Sequence, residues 1–216
     1  MKTKTKLLTG LGFLAAFALW TVLVRFVDAQ AIGPEGSLVG LATLNGWFHR
    51  LTGVHMWLYT LTDWLGLVPV GFMFGFAILG LVQWIRRKQL RKVDASILLL
   101  GGFYLIVAAA YLLFESVVIN YRPVLIEGFL ESSYPSSTTL LVLCVMPTAA
   151  MQLSARLKFP GLKCYVNLLI AGFTVFMVVS RLISGVHWLT DIIGGILLSA
   201  GLVGLYAAFA LPENSK

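Results

Sequence analysis

Charge is what this sequence has least of. Only 12% of its 216 residues are Asp, Glu, Lys or Arg, about half the ~25% usual in soluble domains, which excludes an ordinary charged surface. Cysteine is almost absent too. Cys144 lies in an apolar run and Cys164 beside a basic stretch, so neither a disulfide framework nor a paired-cysteine metal motif is present. Low-complexity tracts, internal repeats and polar linkers are missing, and 1–216 reads as a single membrane-embedded domain. Gly10 and Gly12 make no dinucleotide fingerprint, because the preceding strand and the rest of the pattern are lacking. The net charge of +7 does not point to nucleic acid, since the basic residues form short clusters between apolar runs and not an aromatic-interleaved patch.

What fills the sequence is hydrocarbon: 59% of the residues are hydrophobic. Uncharged or nearly uncharged runs near 7–27, 64–85, 95–119, 136–155, 164–183 and 188–211 are each long enough to cross ~30 Å of lipid as a helix. The expected fold is therefore an all-α membrane protein, a six-transmembrane-helix bundle. A Gly-rich stretch from Gly33 to Asp63 carries Trp47, Trp57 and Tyr59, aromatics suited to the membrane interface, and is expected to hold an interfacial helix or partial lid between helices 1 and 2. The N-terminus resembles a signal peptide, but the apolar stretch Leu7 to Val24 and the following Arg25 exceed the usual 7–15-residue core, so an uncleaved first helix is expected. Pro69 and Pro147 are tolerable as kinks within membrane helices.

Orientation follows from the basic residues, which cytoplasmic loops retain. Lys2, Lys4, Lys6, Arg86, Arg87, Lys88, Arg91, Lys92, Arg156, Lys158, Lys163 and Lys216 fall on one side; Arg25, Arg50, Arg122 and Arg181 fall on the other. The termini are thus expected in the cytoplasm of a cell-membrane protein, with the second set on the outer face.

Three groups of reactive residues are expected on that outer face. Ser180-Arg181, five residues, His187, three residues and Asp191 join the fifth and sixth helices. Positions 187 and 191 share a helical face, so the carboxylate can orient the imidazole, leave one ring nitrogen free to attack phosphorus, and have Arg181 bind phosphoryl oxygens. Tyr121-Arg122-Pro123 follows the third helix, which Pro123 is expected to help end, and a second guanidinium would stabilise charge developing during phosphoryl transfer. Tyr134-Pro135-Ser136-Ser137-Thr138-Thr139 precedes an apolar run, and a helix start with unpaired N–H groups and hydroxyls suits phosphate, although simple N-capping uses the same residues. His49 and His55 are expected in interfacial packing. Gly194 and Gly195 are expected to allow close helix contact.

In this order the motifs resemble the type 2 phosphatidic acid phosphatase superfamily, whose pattern is K-x6-RP, PSGH, then SR-x5-H-x3-D. The third motif is complete as Ser180, Arg181, His187 and Asp191. The first keeps Arg122 and Pro123, with Glu115 at the lysine position; the second keeps Pro135 and Ser136, with Ser137-Thr138 in place of Gly-His. The resemblance implies a phosphohistidine at His187 positioned by Asp191, with Arg122, Arg181 and Ser136 holding the phosphate without metal or cofactor. Thr138 cannot transfer the proton a histidine would. A diphosphate such as undecaprenyl diphosphate relieves that loss, because it expels a weakly basic lipid phosphate; alternatively Glu115 substitutes as acid, or it simply pairs with an arginine. The implied partners are the bilayer and a membrane lipid phosphate or diphosphate. The function classes left are a lipid phosphatase or diphosphatase, a lipid phosphotransferase, and a noncatalytic phospholipid-binding or transport protein.

Overall fold

The computed structural model describes residues 3–210; Lys2, Lys216 and the last residue of the expected 188–211 span lie outside them. Eight α-helices run in the order α1 (Thr3–Phe26), α2 (Ala42–Thr52), α3 (Met56–Leu65), α4 (Leu67–Arg87), α5 (Ala95–Ser116), α6 (Ser137–Arg156), α7 (Pro160–Ile183) and α8 (Leu189–Ala210). Six segments are long and apolar enough to cross a membrane, with α3 and α4 together making the second. Large apolar side chains such as Leu105, Phe74 and Leu168 point outward, as lipid-facing residues do. The bundle is all-helical among the described residues apart from isolated β-bridges in its loops.

The second span begins earlier than its apolar run, because Thr60, Thr62 and Asp63 interrupt the run without interrupting the helix. Gly66 keeps a right-handed helical backbone and donates to both Thr62 O and Asp63 O, so α3 passes into α4 with little break. The third span ends at Ser116, and Pro123 does not end it. Val117, Val118 and Ile119 carry the chain out of the helix, as β-branched residues favour extended backbone. Residues 120–133 then double back as a tight loop. Arg122 N–H donates to Glu131 O (3.0 Å) and Ser133 N–H to Asn120 O (2.9 Å), with Glu127 and Gly128 turning the tip at positive φ.

α6 is the most buried span, packed against α7 and α8, while α1 lies along α8. That last contact is backbone-close: a Cβ on Gly204 would meet Gly10 Cα at 3.0 Å, and one on Gly201 would meet Leu14 at 2.6 Å. Small residues permit such approach where lipid gives no hydrophobic drive. Gly194 serves the same end, with the Tyr134 ring packed where its side chain would be, and Gly195 faces Thr139. α1 also reaches the far end of the bundle by hydrogen bonds, Trp20 Nε1 donating to Thr190 O (3.1 Å) and Thr21 Oγ1 meeting Tyr134 Oη (2.8 Å).

α2 is the helix expected between the first two spans. Asn45 locks it to α8, donating to Gly40 O and Thr190 Oγ1 and accepting from Thr190 N–H. The following turn grips the loop before α8. His55 N–H donates to Ser184 O (2.9 Å), and Gly185, at φ +69°, lies so near Gly53 that a Cβ would sit 2.0 Å from its carbonyl oxygen. Only glycine fits there, on both conformational and steric grounds. The alternating direction of the spans thus gathers the ends of α1, α5 and α7 and the starts of α6 and α8 at one end of the bundle.

Candidate active site

The 120–133 loop, the α7–α8 loop and α3 meet at that end. His187 is buried, and each of its ring nitrogens has a partner that decides its state. Nδ1 lies 3.1 Å from Ser133 O, and a carbonyl can only accept, so Nδ1 carries the hydrogen. Nε2 lies 3.4 Å from Arg122 Nη1, and a guanidinium can only donate, so Nε2 presents its lone pair. Burial, and next the charges of Arg122 and Arg181, hold this imidazole well below its ordinary value near 6.5, against the opposing pull of the Ser133 carbonyl. A neutral imidazole with one nitrogen fixed and the other aimed at a cation is competent for attack on an electrophilic phosphorus.

Asp191, in the first turn of α8, meets His187 without the expected shared helical face, because His187 stands in the loop before that helix. Its Oδ2 lies 3.7 Å from Nδ1 and accepts from Trp188 N–H at 2.8 Å, closing the first turn of α8 much as a capping-box carboxylate does. The Ser133 carbonyl is the nearer acceptor for the imidazole, and Asp191 backs it.

Both arginines converge on Tyr59 of α3, whose ring lies 4.7 Å from Arg181 Cζ and 5.8 Å from Arg122 Cζ. Arg181, only 2% exposed, donates from Nη1 to Thr62 Oγ1 (3.1 Å), and its Nη2 stands 3.7 Å from Asp63 Oδ1. Arg122 Nε stands 3.0 Å from Glu131 Oε2, on the opposite arm of the loop. The carboxylate thus holds the fork from behind while Nη1 faces His187. The pairing of Glu115 with an arginine is not what forms. Glu115 Oε2 accepts from Ser132 Oγ at 3.0 Å, and the carboxylate on Arg122 belongs to Glu131.

Ser136 is buried and caps α6, accepting from Thr139 N–H and Thr139 Oγ1. Ser137 and Thr138 are half-buried in the first turn, and Ser137 lines a small cleft together with Glu115, Ser132, Ser133 and His187. The same Ser137, with Tyr111 and Leu140, also borders an apolar groove of about 780 Å³ between α4, α5 and α6. His49 and His55 hold backbone: His49 Nε2 is 3.1 Å from Gly185 O and His55 Nε2 is 2.9 Å from Thr52 O.

The family model described as the PAP2 superfamily matches residues 107–214, half of the chain and all of this cluster outside α3. The chain belongs to the PAP2 superfamily. Its fold is that of a solved member: the crystal structure of a transmembrane PAP2-type phosphatidylglycerolphosphate phosphatase from Bacillus subtilis superposes with a TM-score of 0.57 at 20% identity, covering 93% of this chain and 94% of the other. A search of curated proteins finds no match. PAP2 membership and the six spans make this an integral membrane protein and support lipid phosphatase activity in general.

Five members of this cluster have no place in the motifs: the Ser133 carbonyl, Glu131, and Tyr59, Thr62 and Asp63 of α3. Glu131 was within reach of sequence reasoning, since Glu127-Gly128 marks a turn midway between Arg122 and the second motif.

The state of His187 fixes the acid side of the pH profile. A depressed value means the imidazole takes up its proton only below the ordinary range, so the ring stays neutral as pH is lowered through about 6.5. The acid limb of kcat/KM, which reports free-enzyme groups, is expected below that point once the substrate's own phosphate ionisation is allowed for. A limb centred at or above 6.5 would contradict the environment described.

Proposed function

We propose that this chain is a metal-independent lipid phosphatase or diphosphatase whose site faces outward, working through a phosphohistidine at His187. The observation that carries the reading is the pair of contacts on that ring, Ser133 O at Nδ1 and Arg122 Nη1 at Nε2, which turn the Nε2 lone pair toward a guanidinium suited to phosphate. An incoming phosphoryl group takes the place of the Arg122 Nη1 contact at His187 Nε2 and receives the fork on its own oxygens, with Arg181 adding charge and the α6 start at Ser137 and Thr138 adding N–H donors, the Ser136 N–H being held by Asp191 O. Asp191 steadies the imidazolium side of the reaction.

A diphosphate of a long isoprenoid, such as undecaprenyl diphosphate, fits best. Thr138 offers no proton for a leaving alkoxide, and a departing lipid monophosphate needs none. The bulk of the basic residues at the other end of the bundle supports a cytoplasmic assignment for that end and an outer one for the site.

The groove supports a lipid tail. It follows α5 from Ile97 to Tyr111, about 21 Å at 1.5 Å per residue, and ends beside the His187 cleft. Gly101 lines it, and a Cβ there would meet nothing within 4 Å. A Gly101→Phe variant is expected to lose about ten- to a hundredfold in kcat/KM on long-chain substrate, the cost of forcing a tail past the ring being about 1–3 kcal/mol, with a short-chain analogue unaffected. Equal losses on both would remove the tail from the groove.

The direct test is phosphate release by purified protein from phosphatidate, phosphatidylglycerol phosphate, undecaprenyl phosphate and undecaprenyl diphosphate, with His187→Ala as control. Equal inactivity of the two folded proteins across the panel rejects an enzyme. Transfer to an added lipid or glycan acceptor in place of phosphate release redirects the reading to a phosphotransferase.

A further inference from the structure

Loss of the second-motif histidine leaves the hydrolytic half of such a reaction without a base. Once phosphorus is bound to Nε2, a water must give up a proton as it attacks. We propose that Glu115, standing where the family pattern has lysine, is the general base for that water; this rests on the phosphohistidine reading above.

Three observations carry it. Glu115 and His187 line the same cleft together with Ser132, Ser133 and Ser137, and its free space of about 10 Å³ is roughly that of one water. The exposed carboxylate has one tether, Ser132 Oγ donating to Oε2 at 3.0 Å, which leaves Oε1 for another partner. Glu131 and Asp63 stand against Arg122 and Arg181, and Asp191, whose Oδ2 accepts from Trp188 N–H while its Oδ1 is buried without a partner, faces the Nδ1 edge of the ring and not Nε2. Among the described residues Glu115 takes part in no ion pair. A lysine at this position would bind the phosphate; a carboxylate accepts a proton instead.

The steps balance. The His187 Nε2 lone pair forms the P–N bond, the bond from phosphorus to the bridging oxygen breaks, and the lipid leaves as its monophosphate anion. Water oxygen then attacks phosphorus while Glu115 takes one of its protons. The P–N bond breaks, its electron pair returns to Nε2, orthophosphate departs, and Glu115 releases the proton to bulk water. The leaving group therefore needs no acid and the water has a base, a division of labour suited to diphosphates.

The experiment is rapid quench of the purified full chain with undecaprenyl diphosphate, and separately phosphatidate, each radiolabelled in the phosphate to be transferred. Glu115→Gln is expected to slow steady-state release about 10²-fold while acid-labile label builds to about one phosphoryl per chain on His187, with a matching burst of dephosphorylated lipid. Added formate is expected to restore part of the turnover of Glu115→Ala. Turnover of Glu115→Gln at the wild-type rate overturns the proposal, and so does slow turnover without accumulated label, which would place the defect before phosphoryl transfer. A wild-type chain that neither labels nor turns over would overturn the phosphatase reading itself and this step with it, whereas a labelled wild type beside an unaffected Glu115→Gln would sink only the base.

Discussion

His187→Ala is expected to cut phosphate release by at least about 10³-fold, since removing a nucleophile costs far more than removing a binding group. The ring is buried and its Nδ1–H satisfies the Ser133 carbonyl, so alanine also strands an acceptor at about 1–3 kcal/mol. A loss of activity could then be blamed on folding. His187→Asn separates the two effects, because its amide N–H can still donate toward Ser133 while it offers no ring nitrogen to attack phosphorus. Both variants are expected to be inactive, with Asn melting closer to wild type in detergent. Substantial phosphate release by a well-folded Asn variant would show that the imidazole is not the phosphoryl acceptor.

Arg122→Ala is expected to lower kcat by about 10²–10³-fold, the usual loss on removing one donor from a preorganised oxyanion site. Arg122→Lys is expected to recover little. An ammonium has no planar fork with which to hold Glu131 by one edge and face His187 with another, and it stacks less well on Tyr59. Stability should change modestly in either variant, because Glu131 is 43% exposed and finds water when its partner goes. Arg181 is a poorer choice, since at 2% exposure it is bound into the packing of α3 on α7. The measurement is kcat and KM for each variant beside a melting curve; a rise in KM alone would reduce Arg122 to ground-state binding.

The spans were legible because hydrocarbon imposes a length that any apolar run must meet, and the helices of 95–116 and 137–156 lie within a few residues of their runs. Where polar groups turned inward, the run and the helix parted. Thr62 and Asp63 break the apolar pattern because they serve Arg181, so α3 was hidden by the very residues that tie it to the cluster. The third motif announced His187, Asp191 and Arg181 by spacing. The atom that fixes the imidazole could not be announced, since a backbone carbonyl at Ser133 leaves no mark on residue type. The pairing of Arg122 with Glu131 needed the fold of the 120–133 loop, which depends on two left-handed residues at its tip.

The bond from Trp20 to the carbonyl of Thr190 spans 170 positions, and the Gly10–Gly204 crossing spans more. α1 and α8 therefore depend on each other across almost the whole described length, and Tyr134, bonded to Thr21 of one and packed on Gly194 of the other, is held only when both are in place. Damage to either helix thus loosens the loop that carries Ser133, however distant in sequence the damage lies.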